Sequence, residues 1–361
     1  MLGGVPGCGP WCERGRMAPT RLFVLAHGLF GDPAHLSLLG EECRNADVLV
    51  HQSSANTDRT TDGVSAGGHR LADEIRAVAA RNPSLRSISL VGNSLGGLYV
   101  RHAAALLHDH GLIAGLKPET LVTTGTPHLG VRAFTFVPVP RWLQPAASLV
   151  IGRTADDLLL RDQSKLLLEM SLPDTEFGAA LGAFERRRCY ANLRGDFMVP
   201  FGSAAMETKP WGWGVHDGDT SARALAGLRN HKGVALWERD VIDGTRDGIG
   251  VILETKAGEQ LRLPRRRRQS EWIDDGKDGS IVEEEIMRTG LHAHAWSKVA
   301  VGFASTSAAS PLAHNRLVAL QRAGWKQGIS RWVERAHEGA FVVRHCAEYL
   351  VADHTVRPDG C

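Results

Sequence analysis

The stretch Leu90–Ala104, LVGNSLGGLYVRHAA, decides how this chain is read. It sets one serine, Ser94, between Gly92 and Gly96, with Gly97 directly behind. Ser87–Val91 reads as a short buried strand, and Leu98–His108 as a helix with Leu98, Ala104 and Leu107 on its apolar side. Ser94 therefore falls on a tight strand-to-helix turn. Such a turn holds its serine in a strained backbone conformation. It also brings strand and helix so close that the positions two before and two after must be small. Gly92 and Gly96 meet that demand, and the helix N-terminus turns its partial positive charge toward the serine, which favours an oxyanion there. Taken alone, the pattern fits an ordinary turn serine as well, so the rest of the chain has to separate the two readings.

Outward from Ser94 the pattern alternates. Arg21–Ala26 is a buried strand ending in His27-Gly28. Leu36–Cys43 reads as helix, Asp47–His51 as a second strand, and Gly68–Ala80 as a helix with Leu71, Ile75, Val78 and Ala79 on one side. Glu119–Thr124 is the next strand, followed by TGTPHLG, and Arg188–Ala191 another, followed by NLRGDFMVP, residues 192–200. Ala295–Phe303 returns to a strand pattern, Ala313–Ala323 to a helical one, and Ile329–Val351 supplies one or two closing helices. Alternating strands and helices predict an α/β fold, a mostly parallel sheet with helices on both faces. Sites in such sheets gather at the carboxyl ends of the strands, where His27, Ser94 and His128 all fall.

The organisation expected is a disordered Gly/Pro-rich leader over 1–19, with Met17 as a possible natural start, one domain over 20–353, and a tail over 354–361. Within the domain, 131–175 offers lid or pocket helices, with plain core packing as the alternative. Residues 206–289 read as a long irregular insertion before the histidine strand, in which Ile249–Arg268 suggests a hairpin turning at Ala257-Gly258. The chain's 361 residues, 23% charged and 43% hydrophobic, suit one large α/β domain with such an insertion. The net charge of +2 gives no reason to expect nucleic acid as a partner. No apolar run approaches a membrane span and no apolar segment marks a signal peptide. The six cysteines are scattered rather than framed for disulfides. The expected location is intracellular, cytoplasmic or peripheral to a membrane.

Acyl transfer by a serine needs a base for its proton, a carboxylate to orient that base, and donors for the developing oxyanion. Ser94 is followed in chain order by Asp196, at the end of a strand, and by His314, beyond the strand Ala295–Phe303. That order, serine then acid then histidine, is the one used on hydrolase sheets of this kind. HGLFG, His27–Gly31, turns tightly at the sheet rim, so the backbone N–H groups of Leu29 and Leu95 are the expected oxyanion donors. His292, His294 and His216 are rival bases, and Asp217 and Asp219 rival acids in a Gly-rich loop. His27 and His128 flank the site as structural loop histidines, and Gly28, Gly92, Gly96 and Gly97 shape its rim and elbow. PRRRR, Pro264–Arg268, offers an anionic-lipid or nuclear-localisation patch beside the plainer reading of a solvated loop, and Trp211, Trp213 and Trp272 a membrane contact beside that of packing.

HGLFG, TTDGVSAGGHRLADEI, GNSLGG, TTGTPHLG, NLRGDFMVP, AWSKVAV with PLAHN, and FVVRHCAEYL together resemble the eukaryotic serine-esterase family of lipase-like α/β-hydrolases. The likeness runs from about Thr20 to Leu350. It implies hydrolysis of lipid-like esters such as acylglycerols or phospholipids, and it carries Ser94, Asp196 and His314 over as the triad. The reading requires neither metal nor organic cofactor. It allows peripheral membrane or lipid-droplet contact and leaves the oligomeric state open. The same triad would serve an acyltransferase, and a binding protein on a hydrolase fold is a third reading.

Overall fold

The computed structural model describes residues 18–132, 144–193, 196, 198–207, 235–236, 250–254, 280–303, 313–320 and 339–352. Six parallel strands form the body of the sheet. They are β1 (Arg21–Ala26), β2 (Val48–Gln52), β3 (Ser87–Asn93), β6 (Lys117–Thr124), β7 (Arg186–Asn192) and β10 (Ser297–Phe303). Their order is β2-β1-β3-β6-β7-β10, extended by β9 (Gly250–Glu254) and β8 (Ala235–Leu236), which run antiparallel. A two-strand pair, β4 (His108–Asp109) and β5 (Leu112–Ile113), stands apart.

Strand residues alternate between two cores because successive side chains leave opposite faces of a sheet. Leu22 and Val24 of β1 enter one, with α2 (Val64–Arg81), α3 (Leu95–Leu107) and α6 (Glu176–Ala183). Phe23 and Leu25 enter the other, with α1 (Ser37–Glu42) and the closing helix α10 (Ala340–Val351). A sheet buried on both faces reads as continuous hydrophobic runs, which is why RLFVLA carries so little polar alternation. The result is the expected α/β-hydrolase fold, and the C-terminal ends of β1, β3, β6 and β7 meet along one rim.

Several elements depart from the sequence reading. Helix α2 starts at Val64, four residues before the expected Gly68. Glycine weakens a helix interior, yet a Cβ on Gly67 would lie 2.2 Å from the Tyr99 ring and one on Gly68 2.4 Å from His102. Packing against α3 thus requires glycines inside the helix. Residues 280–292, partly within the stretch expected to be irregular, form α8 (Ser280–His292). Its inward residues Glu284, Met287 and Leu291 follow helical spacing, but the first is a glutamate and so left no apolar trace. Glu284 is neutralised by Arg132, whose Nη2 reaches Glu283 Oε2 at 2.7 Å and Glu284 Oε2 at 3.1 Å. In the 131–175 region, α4 (Gln144–Leu158) bends at Ile151-Gly152 and a short α5 (Leu166–Glu169) follows. β9 pairs with β10 and β8, and the turn expected at 257–258 lies outside the described residues, as do Trp211, Trp213, Trp272 and Pro264–Arg268.

Candidate active site

Ser94 sits between β3 and α3 with φ 55° and ψ −125°, a left-handed conformation a side chain adopts at a cost. Its N–H donates to the Thr124 carbonyl at 2.7 Å, which ties the elbow to the end of the neighbouring strand. The close approach expected on either side is real. A Cβ on Gly92 would lie 2.3 Å from Gly97 Cα, and one on Gly96 2.2 Å from the Ala26 carbonyl oxygen. Both obstacles are backbone, so neither can move aside. A Cβ on Gly28 would fall 3.3 Å from Ser94 Oγ, placing the His27–Gly31 turn against the serine.

Asp196 and His314 meet although 118 residues separate them. His314 Nδ1 lies 2.8 Å from Asp196 Oδ2, and both residues are buried. β7 delivers Asp196 just past its end. The carboxylate Oδ1 accepts the N–H groups of Met198 and Val199 at 3.1 and 2.8 Å, and Oδ2 also accepts Asn192 Nδ2 at 2.8 Å. Four donors converge on one carboxylate and fix its orientation toward His314. His314 is the second residue of a short helix, α9 (Ala313–Arg316), beyond β10. A Cβ on Gly125 would lie 2.9 Å from His314 Cε1. Since Gly125 follows Thr124, whose carbonyl holds the Ser94 N–H, the histidine ring stands beside the elbow. With Nδ1 on the carboxylate, Nε2 is the nitrogen left over, and it has no hydrogen-bond partner among the described residues.

Two N–H groups of the His27–Gly31 turn are committed. That of Gly31 closes on the Gly28 carbonyl at 3.0 Å and that of Phe30 donates to Thr60 Oγ1 at 3.0 Å. Leu95 is the first residue of α3, where an N–H has no partner within the helix. His128 is fully buried between Thr123 Oγ1, 2.9 Å from Nε2, and Arg101 Nη1, 3.1 Å from Nδ1. Burial, then the charges of Arg101 and Lys298, hold its pKa well below the usual value, so the ring is neutral. Burial likewise lowers His27, whose Nδ1 lies 3.1 Å from the Gly28 carbonyl. Of the rival bases, His292 is engaged by Lys298 Nζ at 2.8 Å and Arg288 Nη1 at 3.1 Å, and burial with those two cations lowers it to about 4. His294 packs near Gly182, with Arg187 donating to its carbonyl. His216, Asp217 and Asp219 lie outside the described residues. Asn192 and Thr60 stand in the quoted stretches NLRGDFMVP and TTDGVSAGGHRLADEI, but their roles escaped the sequence reading, since nothing local marks a residue whose partner is supplied by another part of the chain.

The family model described as "Putative serine esterase (DUF676)" matches residues 16–209, more than half of the chain. The chain belongs to this serine-esterase family. The match covers the elbow, the His27–Gly31 turn and Asp196. Among curated proteins, the chain is 32% identical over 214 residues to a putative lipase of Schizosaccharomyces pombe, across 54% of this chain and 27% of that one. It is 31% identical over 201 residues to a putative lipase of Saccharomyces cerevisiae, across 51% and 28%. The alignments thus span little more than a quarter of either relative. Among solved structures, it is similar to the mature Bacillus licheniformis lipase BlEst2, with 18% identity, TM-score 0.33, and 52% and 70% of the two chains covered. It is also similar to the RedJ thioesterase of Streptomyces coelicolor, with 16% identity, TM-score 0.30, and coverage of 55% and 76%. No helix among the described residues is long and apolar enough to cross a membrane.

Proposed function

We propose that this serine-esterase family member hydrolyses carboxylic esters of lipid-like substrates, acylglycerols or phospholipids, through an acyl-enzyme. The observation that carries the reading is the pairing of His314 Nδ1 with a four-donor Asp196 carboxylate beside a strained Ser94 elbow.

The Ser94 hydroxyl oxygen attacks the ester carbonyl carbon as His314 Nε2 takes its proton. The carbonyl π pair moves onto oxygen, to which the N–H groups of Leu29 and Leu95 donate hydrogen bonds. The tetrahedral intermediate collapses, the C–O bond to the alcohol breaks, and His314 returns the proton to the leaving oxygen. Water repeats the sequence on the acyl-enzyme and releases the acid. Asp196 stays ionised throughout and holds His314 in the tautomer whose Nε2 is free to accept. Each backbone donor contributes about 3 kcal/mol of transition-state stabilisation by mutational precedent. The lipid-like substrate class rests on the family and its lipase relatives.

Hydrolysis of p-nitrophenyl esters of graded chain length, by the protein and by Ser94→Ala, tests the reading. Activity that rises with chain length and disappears in the variant supports it. Equal rates in the two proteins would sink it, and a preference for acetyl over long-chain esters would remove the lipid assignment.

A further inference from the structure

The residue after Leu29 presents a mechanical problem. Phe30 holds φ 51°, in the left-handed region a non-glycine side chain avoids. Its side chain is 58% exposed, so packing does little to keep it there. Its N–H is fixed by Thr60 Oγ1 at 3.0 Å, and Thr60 itself is buried. Thr60 is held in turn. Its carbonyl accepts the Thr154 hydroxyl at 2.8 Å and the Tyr99 hydroxyl at 3.3 Å. The same Thr154 Oγ1 accepts the Gly63 N–H at 3.1 Å, and Asp157, one turn further along α4, accepts the Val64 N–H at 2.6 Å. A Cβ on Gly152 would lie 2.5 Å from the Thr61 carbonyl oxygen, so α4 rests directly on this loop.

We infer that Thr60 is the positioning residue of the oxyanion turn, and that the second half of α4, through Thr154, sets Thr60. The inference rests on the ester-hydrolase reading. One residue, Thr60, links the backbone beside Leu29 through its hydroxyl to α4 through its carbonyl, a helix that follows residues 133–143 in the chain. A shift of α4 is then transmitted to the direction of the Leu29 N–H. A peptide plane turned by a few tens of degrees loses its hydrogen bond to an oxyanion while ground-state binding of the substrate survives.

The test uses Thr60→Val, Thr60→Ser and Thr154→Val beside Ser94→Ala. For each, kcat, KM, the melting temperature and the inhibition constant of an alkyl boronic acid, which forms a tetrahedral adduct on a serine, are measured. Thr60→Val is expected to lower kcat about tenfold or more, below the ~10²–10³ of a deleted donor, with KM within about twofold. Its boronate affinity should fall in step with kcat. Thr60→Ser retains the hydroxyl and should restore both, and Thr154→Val should show a smaller loss of the same kind. Wild-type kcat and boronate affinity in Thr60→Val would overturn the inference, as would equal damage in the Val and Ser variants. So would a loss of kcat explained by fewer titratable active sites at a lower melting temperature. If Ser94→Ala is dead while Thr60→Val is normal, only this inference falls; if Ser94→Ala is active, the hydrolase reading falls with it.

Discussion

At the scale of single residues, the site is a set of contacts that tolerate little substitution. Asp196→Asn keeps the shape of the carboxylate but donates where it should accept, and it leaves His314 in the wrong tautomer. We expect kcat to fall by about 10⁴ with little change in KM, measured on the same esters. Gly96→Ala introduces a Cβ 2.2 Å from a backbone oxygen. Because strand and helix would have to separate, a cost of about 3 kcal/mol or more is expected, visible in denaturant unfolding. The elbow was legible in the sequence because its constraint is local: glycines two residues either side of one serine. Asp196 and His314 were legible by chain order and family resemblance. Asn192 and Thr60 were not. Their roles depend on which backbone amide or carboxylate arrives from elsewhere in the fold, and an asparagine at a strand end or a threonine before Thr61-Asp62-Gly63 has many ordinary uses.

Among the elements, α2 and α8 show how tertiary contacts override local signals. The first turn of α2 has no side-chain cap of its own. Its cap arrives from α4, where Asp157 accepts the Val64 N–H. Burial outweighs that hydrogen bond and pushes the Asp157 carboxyl up to about 6. The folded protein therefore holds this proton more tightly than the unfolded chain does. The associated stability is present below pH 4 and is lost as pH rises through about 6. Asp157→Asn keeps an acceptor without the charge. Its melting temperature should match wild type near pH 4 and exceed it above pH 6, where each kcal/mol is worth about 2–4 °C. Coincident curves across that range would contradict the assignment. On α8, Glu284 is buried against Arg132. Arg132→Ala strands a buried carboxyl and should destabilise by about 3 kcal/mol, with Glu284→Gln in the same chain restoring part of that loss. A buried glutamate inside an acidic run explains why α8 was not apparent beforehand, while RLFVLA shows its strand by an unbroken apolar run.

For the molecule as a whole, two helical layers on a parallel sheet bring turns from distant parts of the chain to one rim, and pH acts on that frame in opposite directions. Glu74 of α2 joins the helix to the β2 edge. Burial would raise its pKa, but the His51 ring 3.4 Å away and hydrogen bonds from Ser53 and Ser54 outweigh this and hold it at about 2. Its contribution is present above pH 4.5 and is lost as pH falls through about 2, the reverse of Asp157. Glu74→Gln should therefore lower the melting temperature at pH 6 and converge on wild type near pH 2, as followed by circular dichroism. The succession of strands and helices along the chain, and with it a mostly parallel sheet, was readable from alternation. The strand character of β9 was legible in the stretch read as a hairpin, but its pairing with β10 and with the two-residue β8 was not, because local sequence does not name a strand's partner.

The most direct measurement is mass spectrometry of the protein after reaction with an alkyl fluorophosphonate, which phosphonylates a serine activated by a neighbouring base. The account predicts one adduct per chain, mapped to Ser94, absent from Ser94→Ala and formed far more slowly by Asp196→Asn. An adduct on another residue, or none on a folded chain, would contradict it.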